Sequence, residues 1–76
     1  MKLYTAQCYD RHIDPVIRVF DTADAAIAFA KAFVKYSARH PDSIEEETIA
    51  GWLYFCRYGE DDRVLVQETE LNDSQL

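Results

Sequence analysis

"DTADAAIAFAKAFVKYSARHP", residues 21–41, decides how the rest of the chain has to be arranged. At 100° per residue, Ala26, Phe29, Ala30, Phe33, Val34 and Ser37 fall on one face of a helix. Lys31, Lys35 and Arg39 line the opposite side one turn apart, and the last two complement the negative end of the helix dipole. Asp21 or Thr22 caps the start, with Asp24 near the positive end. Pro41 stops the helix, because a residue preceding proline avoids the α region. A lone helix with one apolar stripe must bury it against a sheet, so the flanking segments are read as strands.

"LYTAQCY" (3–9) alternates, with Tyr4, Ala6 and Cys8 on one face. "DRHIDP" (10–15) is a turn around Asp14-Pro15, and "VIRVF" (16–20) completes an antiparallel hairpin. After the helix, "PDSIEEE" (41–47) is a connection in which Ser43 and Glu46 fit a capping box for a short helical turn. "TIAGWLYFCRY" (48–58) is apolar on both faces, the mark of a central strand, with Gly51 as a bulge. "GEDD" (59–62) is a tight turn, "RVLVQETEL" (63–71) the last strand, and residues 72–76 a frayed tail. The expected fold is α+β over a single domain, residues 1–76. Its order is ββαββ, with a four-stranded antiparallel sheet and one amphipathic helix packed on one face.

On the 48–58 strand, alternation puts Trp52, Tyr54, Cys56 and Tyr58 on one side and Ile49, Leu53 and Phe55 on the other. The Leu53/Phe55 side is the better match to the helix stripe. Trp52, Tyr54 and Tyr58 are then expected to face outward, joined by Tyr4 or Tyr9 from a neighbouring strand. Such a face is either ordinary cross-strand packing or a binding surface, since Tyr and Trp combine large area with a polar handle.

At 76 residues, with 49% hydrophobic and 13% aromatic content, the chain can carry its own small core. No run approaches the roughly 20 apolar residues of a membrane span, and "MKLYTAQCYD" lacks a signal-type apolar region. A cytosolic protein is expected, with Cys8 and Cys56 as core thiols.

Net charge is −6, and its distribution is lopsided. Residues 1–41 hold six Lys/Arg against four Asp/Glu, a net of +2, whereas residues 42–76 hold two against ten, a net of −8. Affinity for a phosphate backbone comes from Lys and Arg, so direct nucleic-acid binding is disfavoured and a basic protein is the expected partner.

The chemistry-bearing residues do not form a catalytic constellation. His12 sits in a turn and His40 at the helix end, and neither pairs with a nucleophile in a glycine-containing elbow. Cys8, His12, His40 and Cys56 lack the close ligand pairs of a structural zinc site. Two glycines leave little loop for a pocket and no phosphate-cradling run. The expectation is a non-enzyme without metal or cofactor.

The acids then carry the functional reading. Were 48–58 to pair with 63–71 throughout, Glu45, Glu46 and Glu47 would meet Glu68 and Glu70 at one end of that hairpin. Glu60, Asp61 and Asp62 would mark the opposite tip. Carboxylates so clustered either guard a sheet edge or attract a cationic partner. The expected partner-binding set is those eight acids with Trp52, Tyr54 and Tyr58. Length, the ββαββ order and the runs "EEE", "EDD" and "ETE" resemble the small acidic phage and mobile-element proteins that disable host defences, notably anti-CRISPR proteins. That resemblance implies a viral protein that inhibits by occupying the basic groove of a nucleic-acid-handling complex. The alternative is a structural or regulatory module that homodimerises through Tyr54 and Tyr58. A third reading, a small-molecule-binding enzyme fragment, would be favoured by a deep pocket lined by His12 or His40.

Overall fold

The computed structural model describes residues 2–70. The elements are β1 (Lys2–Tyr9), β2 (Val16–Phe20), α1 (Ala23–Ser37), a 3-10 turn (Pro41–Ser43), β3 (Glu45–Glu47), β4 (Tyr54–Arg57) and β5 (Arg63–Glu70). All strands pair antiparallel in one five-stranded sheet of order β2-β1-β5-β4-β3. The sheet has one strand more than expected, because "EEE" is itself a strand. The tail from residue 72 lies outside the described residues.

The first half follows its sequence pattern. Cys8 pairs with Val16 and Tyr4 with Phe20 across the β1–β2 hairpin. Thr22 caps α1, its hydroxyl accepting from the Ala25 N–H at 3.2 Å. Ala26, Ala30 and Val34 are buried, with Phe29 and Phe33 packed beside them. The helix ends at Ser37, before the His40-Pro41 pair. Small alanines at the contact let α1 settle closely on β1, β5 and β2.

The second half differs from expectation at residues 48–53. The segment is mostly apolar (Ile49, Ala50, Trp52, Leu53), yet the chain turns. The Trp52 N–H donates to the Ile49 carbonyl at 3.1 Å, with Gly51 at φ 87°. That left-handed geometry in the third position of a turn suits glycine. The strand therefore begins at Tyr54, and β3 folds back alongside it with Glu45 opposite Arg57 and Glu47 opposite Phe55. Ser43 does not start a helical turn with Glu46. Instead its hydroxyl closes the 3-10 turn, within hydrogen-bond distance of the His40 carbonyl (2.7 Å) and the Tyr58 carbonyl (3.0 Å).

This break also reverses the assignment of faces. Tyr54, Cys56 and Tyr58 meet α1 together with Ala6, Cys8, Val64 and Val66. Phe55 points to the opposite face, where Trp52 covers it at a ring distance of 5.4 Å. Alternation holds only within a strand, so it cannot be carried back through the turn to place Trp52 beside Tyr54. β5, last in sequence, is central in the sheet. Val64, Leu65 and Val66 are all buried, the continuous apolar run of a strand covered on both faces.

Candidate functional site

β3 forms one edge of the sheet, and Glu45, Glu46 and Glu47 are all exposed on it. The pin from Ser43 to the Tyr58 carbonyl delivers the chain to that edge, and Ile44 packs against the core rim. Glu46 pairs with Cys56 and so lies on the helix side, where it accepts a hydrogen bond from the Tyr54 hydroxyl. Glu45 and Glu47 lie on the uncovered side. Glu47 approaches Arg57 at 4.0 Å, an exposed pair that contributes little.

The remaining acids are not where a continuous 48–58 strand would put them. Glu68 and Glu70 pair in register with Tyr4 and Lys2, beyond the end of β4, and Lys2 contacts Glu68 at 3.5 Å. They are separated from the β3 glutamates, because the chain reverses at 48–53 and β3 runs beside β4 rather than past its end. Glu45 instead lies toward the 58–62 turn, through the register Glu45–Arg57–Arg63. Glu60 and Asp61 in that turn are exposed, and Glu60 contacts Arg11 at 3.8 Å. Asp62 is buried, accepting from the Arg11 N–H at 2.9 Å, while its carbonyl receives the Tyr58 N–H. It is a structural carboxylate, not a surface one. The acidic edge is thus Glu45, Glu46 and Glu47, with Glu60 and Asp61 separate from it in the β4–β5 turn at the end toward which Glu45 lies.

Of the three expected aromatic anchors, Tyr58 is corrected, and Tyr54 lies on the helix side and not on the open face. Tyr58 is 3% exposed, edge-on to Phe33 at 6.5 Å, and donates to Asp10. Tyr54 is half-buried beneath α1, with Lys31 over its ring. Burial, then the bond to a carboxylate, raises both phenol pKa values above the ordinary range. Tyr58 is therefore withdrawn from the surface by the helix that covers it, while Tyr54 keeps part of its ring and its hydroxyl at the β3 edge. Trp52 remains half-exposed on the open face.

At the C-terminal end of α1, beside the 58–62 turn, a cavity of about 360 Å³ brings together Arg11, His12, Arg39, His40, Tyr58 and Asp62. Both histidines arrive there because the β1–β2 turn and the helix C-terminus lie at the same end of the sheet, two reversals apart. Asp10 borders this cluster, accepting from the His12 N–H at 2.8 Å and the Tyr58 hydroxyl at 2.9 Å. Burial opposes its ionisation, but those donors and the charges of His12 and Arg39 outweigh it. The Asp10 carboxyl is held below its ordinary pKa. Sequence spacing had separated the two histidines, and only their shared loop positions hinted at this meeting.

Cys8 and Cys56 lie buried under α1 as free thiols. Among the described residues, no three His, Cys, Asp or Glu side chains converge to hold a metal ion. No helix there is long and apolar enough to cross a membrane. Compared with known protein families, curated proteins and solved structures, the chain matches none.

Proposed function

We propose that the chain is a non-enzymatic protein-binding module whose acidic edge engages a basic, nucleic-acid-handling partner and blocks it. The observation that carries this reading is β3 itself, three consecutive exposed glutamates on a strand edge, with exposed Glu60 and Asp61 in the β4–β5 turn. Glutamate is a poor strand former, and like charges on one edge repel. A partner bearing Lys or Arg relieves that repulsion and is drawn in over distances of about one Debye length. Partner selection then rests on charge, with half-exposed Trp52 beside the edge as the apolar contact. A row of carboxylates presents the charge of a phosphate strand, so nucleic acid and this edge compete for one basic groove.

The test is capture from lysate at low salt, followed by elution with duplex DNA. The reading expects basic proteins that DNA displaces, and no capture by a Glu45→Lys, Glu46→Lys, Glu47→Lys variant. Equal capture by both proteins would reject it.

A second reading, small-molecule binding, is favoured by the joint presence of His12 and His40 in one cavity. It ranks second because Asp10, Asp62, Tyr58 and Ser43 there are already spent on structural hydrogen bonds. Histidine ring resonances that stay fixed while inorganic phosphate is titrated would remove it for anions.

A further inference from the structure

The two edges of the sheet are built oppositely. β3 carries three glutamates, the kind of charge that deters strand addition. β2, "VIRVF", carries one charge, Arg18, and no acid. Its Ile17 and Val19 project onto the face that α1 leaves uncovered and are 58% and 59% exposed. The polar row Thr5, Gln7 and Gln67, with Gln7 donating to Gln67 at 2.9 Å, separates this aliphatic pair from the Trp52–Phe55 cluster. Ile17 and Val19 therefore belong to the edge and not to a larger apolar patch.

We infer that β2 is a homodimerisation edge, pairing antiparallel with β2 of a second copy into one continuous ten-stranded sheet. The pairing is independent of the acidic-edge reading. The outward N–H and C=O groups along the β2 edge are met by water in the single copy and by a strand ladder in a pair, whereas an apolar ligand would leave them unmet. A two-fold axis perpendicular to the sheet keeps both uncovered faces on the same side. Ile17 and Val19 of each copy then form one aliphatic row across the seam. A register centred on Ile17 sets Arg18 opposite Val16 of the second copy, so the arginines do not meet.

Closure selects this occupant over head-to-tail stacking, and the charge distribution permits it. Residues 42–76 carry a net −8, and seven of their ten acids fall in 42–47 and 60–62, at the β3 side of the sheet and the β4–β5 turn. Joining β2 to β2 places the two β3 edges nine strand spacings apart, about 43 Å at ~4.8 Å each. That exceeds a Debye length of about 8 Å several-fold, so the like charges are screened from each other. Joining β2 to β3 would engage the charged edge that deters strand addition and leave an open-ended chain of copies, whereas β2 to β2 closes.

Sedimentation velocity over a wide concentration range tests this, with far-UV circular dichroism as the check on folding. The expected result is a monomer–dimer equilibrium that Ile17→Lys or Val19→Lys weakens at least tenfold (~1.4 kcal/mol), with dichroism unchanged because both side chains are exposed. Glu45→Gln with Glu47→Gln should leave it in place. A monomer at every concentration would overturn the inference. So would a dimer indifferent to Ile17 and Val19, or species that grow without limit.

Discussion

The Tyr58 hydroxyl donates to the Asp10 carboxylate at 2.9 Å, joining the end of β4 to the turn that follows β1. The same carboxylate holds the His12 N–H, and the Tyr58 ring packs edge-on to Phe33 of α1. One phenol thus ties together the hairpin turn, the central sheet and the helix.

Replacing Tyr58 by Phe keeps the ring contact and removes only the hydroxyl. The expected loss is about 1 kcal/mol, a typical net value for one hydrogen bond. Asp10 titrates below its unfolded value, so its stabilisation is present above about pH 4 and is lost as pH falls through the folded pKa. Tyr58→Phe takes away one of the donors that depress it. Urea unfolding of the two proteins should differ most at neutral pH and converge in acid; a constant difference would contradict this account.

Glycine substitutions should separate two causes of cost. A Cβ on Gly59 would collide with the Asp62 side chain, which cannot swing away because it is buried and holds the Arg11 N–H. Gly59→Ala should therefore cost about 1–3 kcal/mol, the range for overpacking. A Cβ on Gly51 meets nothing within 4 Å, but its φ of 87° remains strained for alanine. Gly51→Ala should cost about 1 kcal/mol and Gly51→Asn less, since asparagine tolerates left-handed backbone. Thermal denaturation of the three variants checks that order.

Burial pushes the Cys8 thiol up to about 11 and raises Cys56 as well. Both should resist Ellman's reagent in the native protein and react only at the rate of unfolding. The raised values of Cys8, Tyr54 and Tyr58 act together in alkali. Stability they support is complete below the unfolded thiol and phenol pKa values, about 8.5 and 10. It falls as pH rises toward their folded values. Prompt modification of either thiol at neutral pH would show the α1–sheet core to be looser than described.

The β1–β2 hairpin and α1 were legible because their periods of 2 and 3.6 run uninterrupted to clear stops, Asp14-Pro15 and His40-Pro41. β3 was not legible. Three glutamates have low strand propensity, and tertiary pairing with β4 overrides it. The 48–53 turn hid inside an apolar run with only Gly51 to betray it, which misplaced Trp52 relative to Tyr54 and drew Glu68 and Glu70 toward "EEE". Asp62 read as surface charge because its buried bond to the Arg11 N–H spans 51 residues. The central position of β5 had a signal in Val64-Leu65-Val66, an apolar run without alternation.

The most direct test of the acidic edge is the association rate of a captured basic partner, followed against salt concentration. Wild type is compared with Glu45→Gln, Glu46→Gln, Glu47→Gln. Steering by exposed carboxylates predicts that the wild-type rate falls steeply with salt, that the variant associates more slowly with a flatter dependence, and that dissociation changes little. An association rate indifferent to salt, or a variant altered only in dissociation, would show that β3 guards an edge and does not recruit a partner.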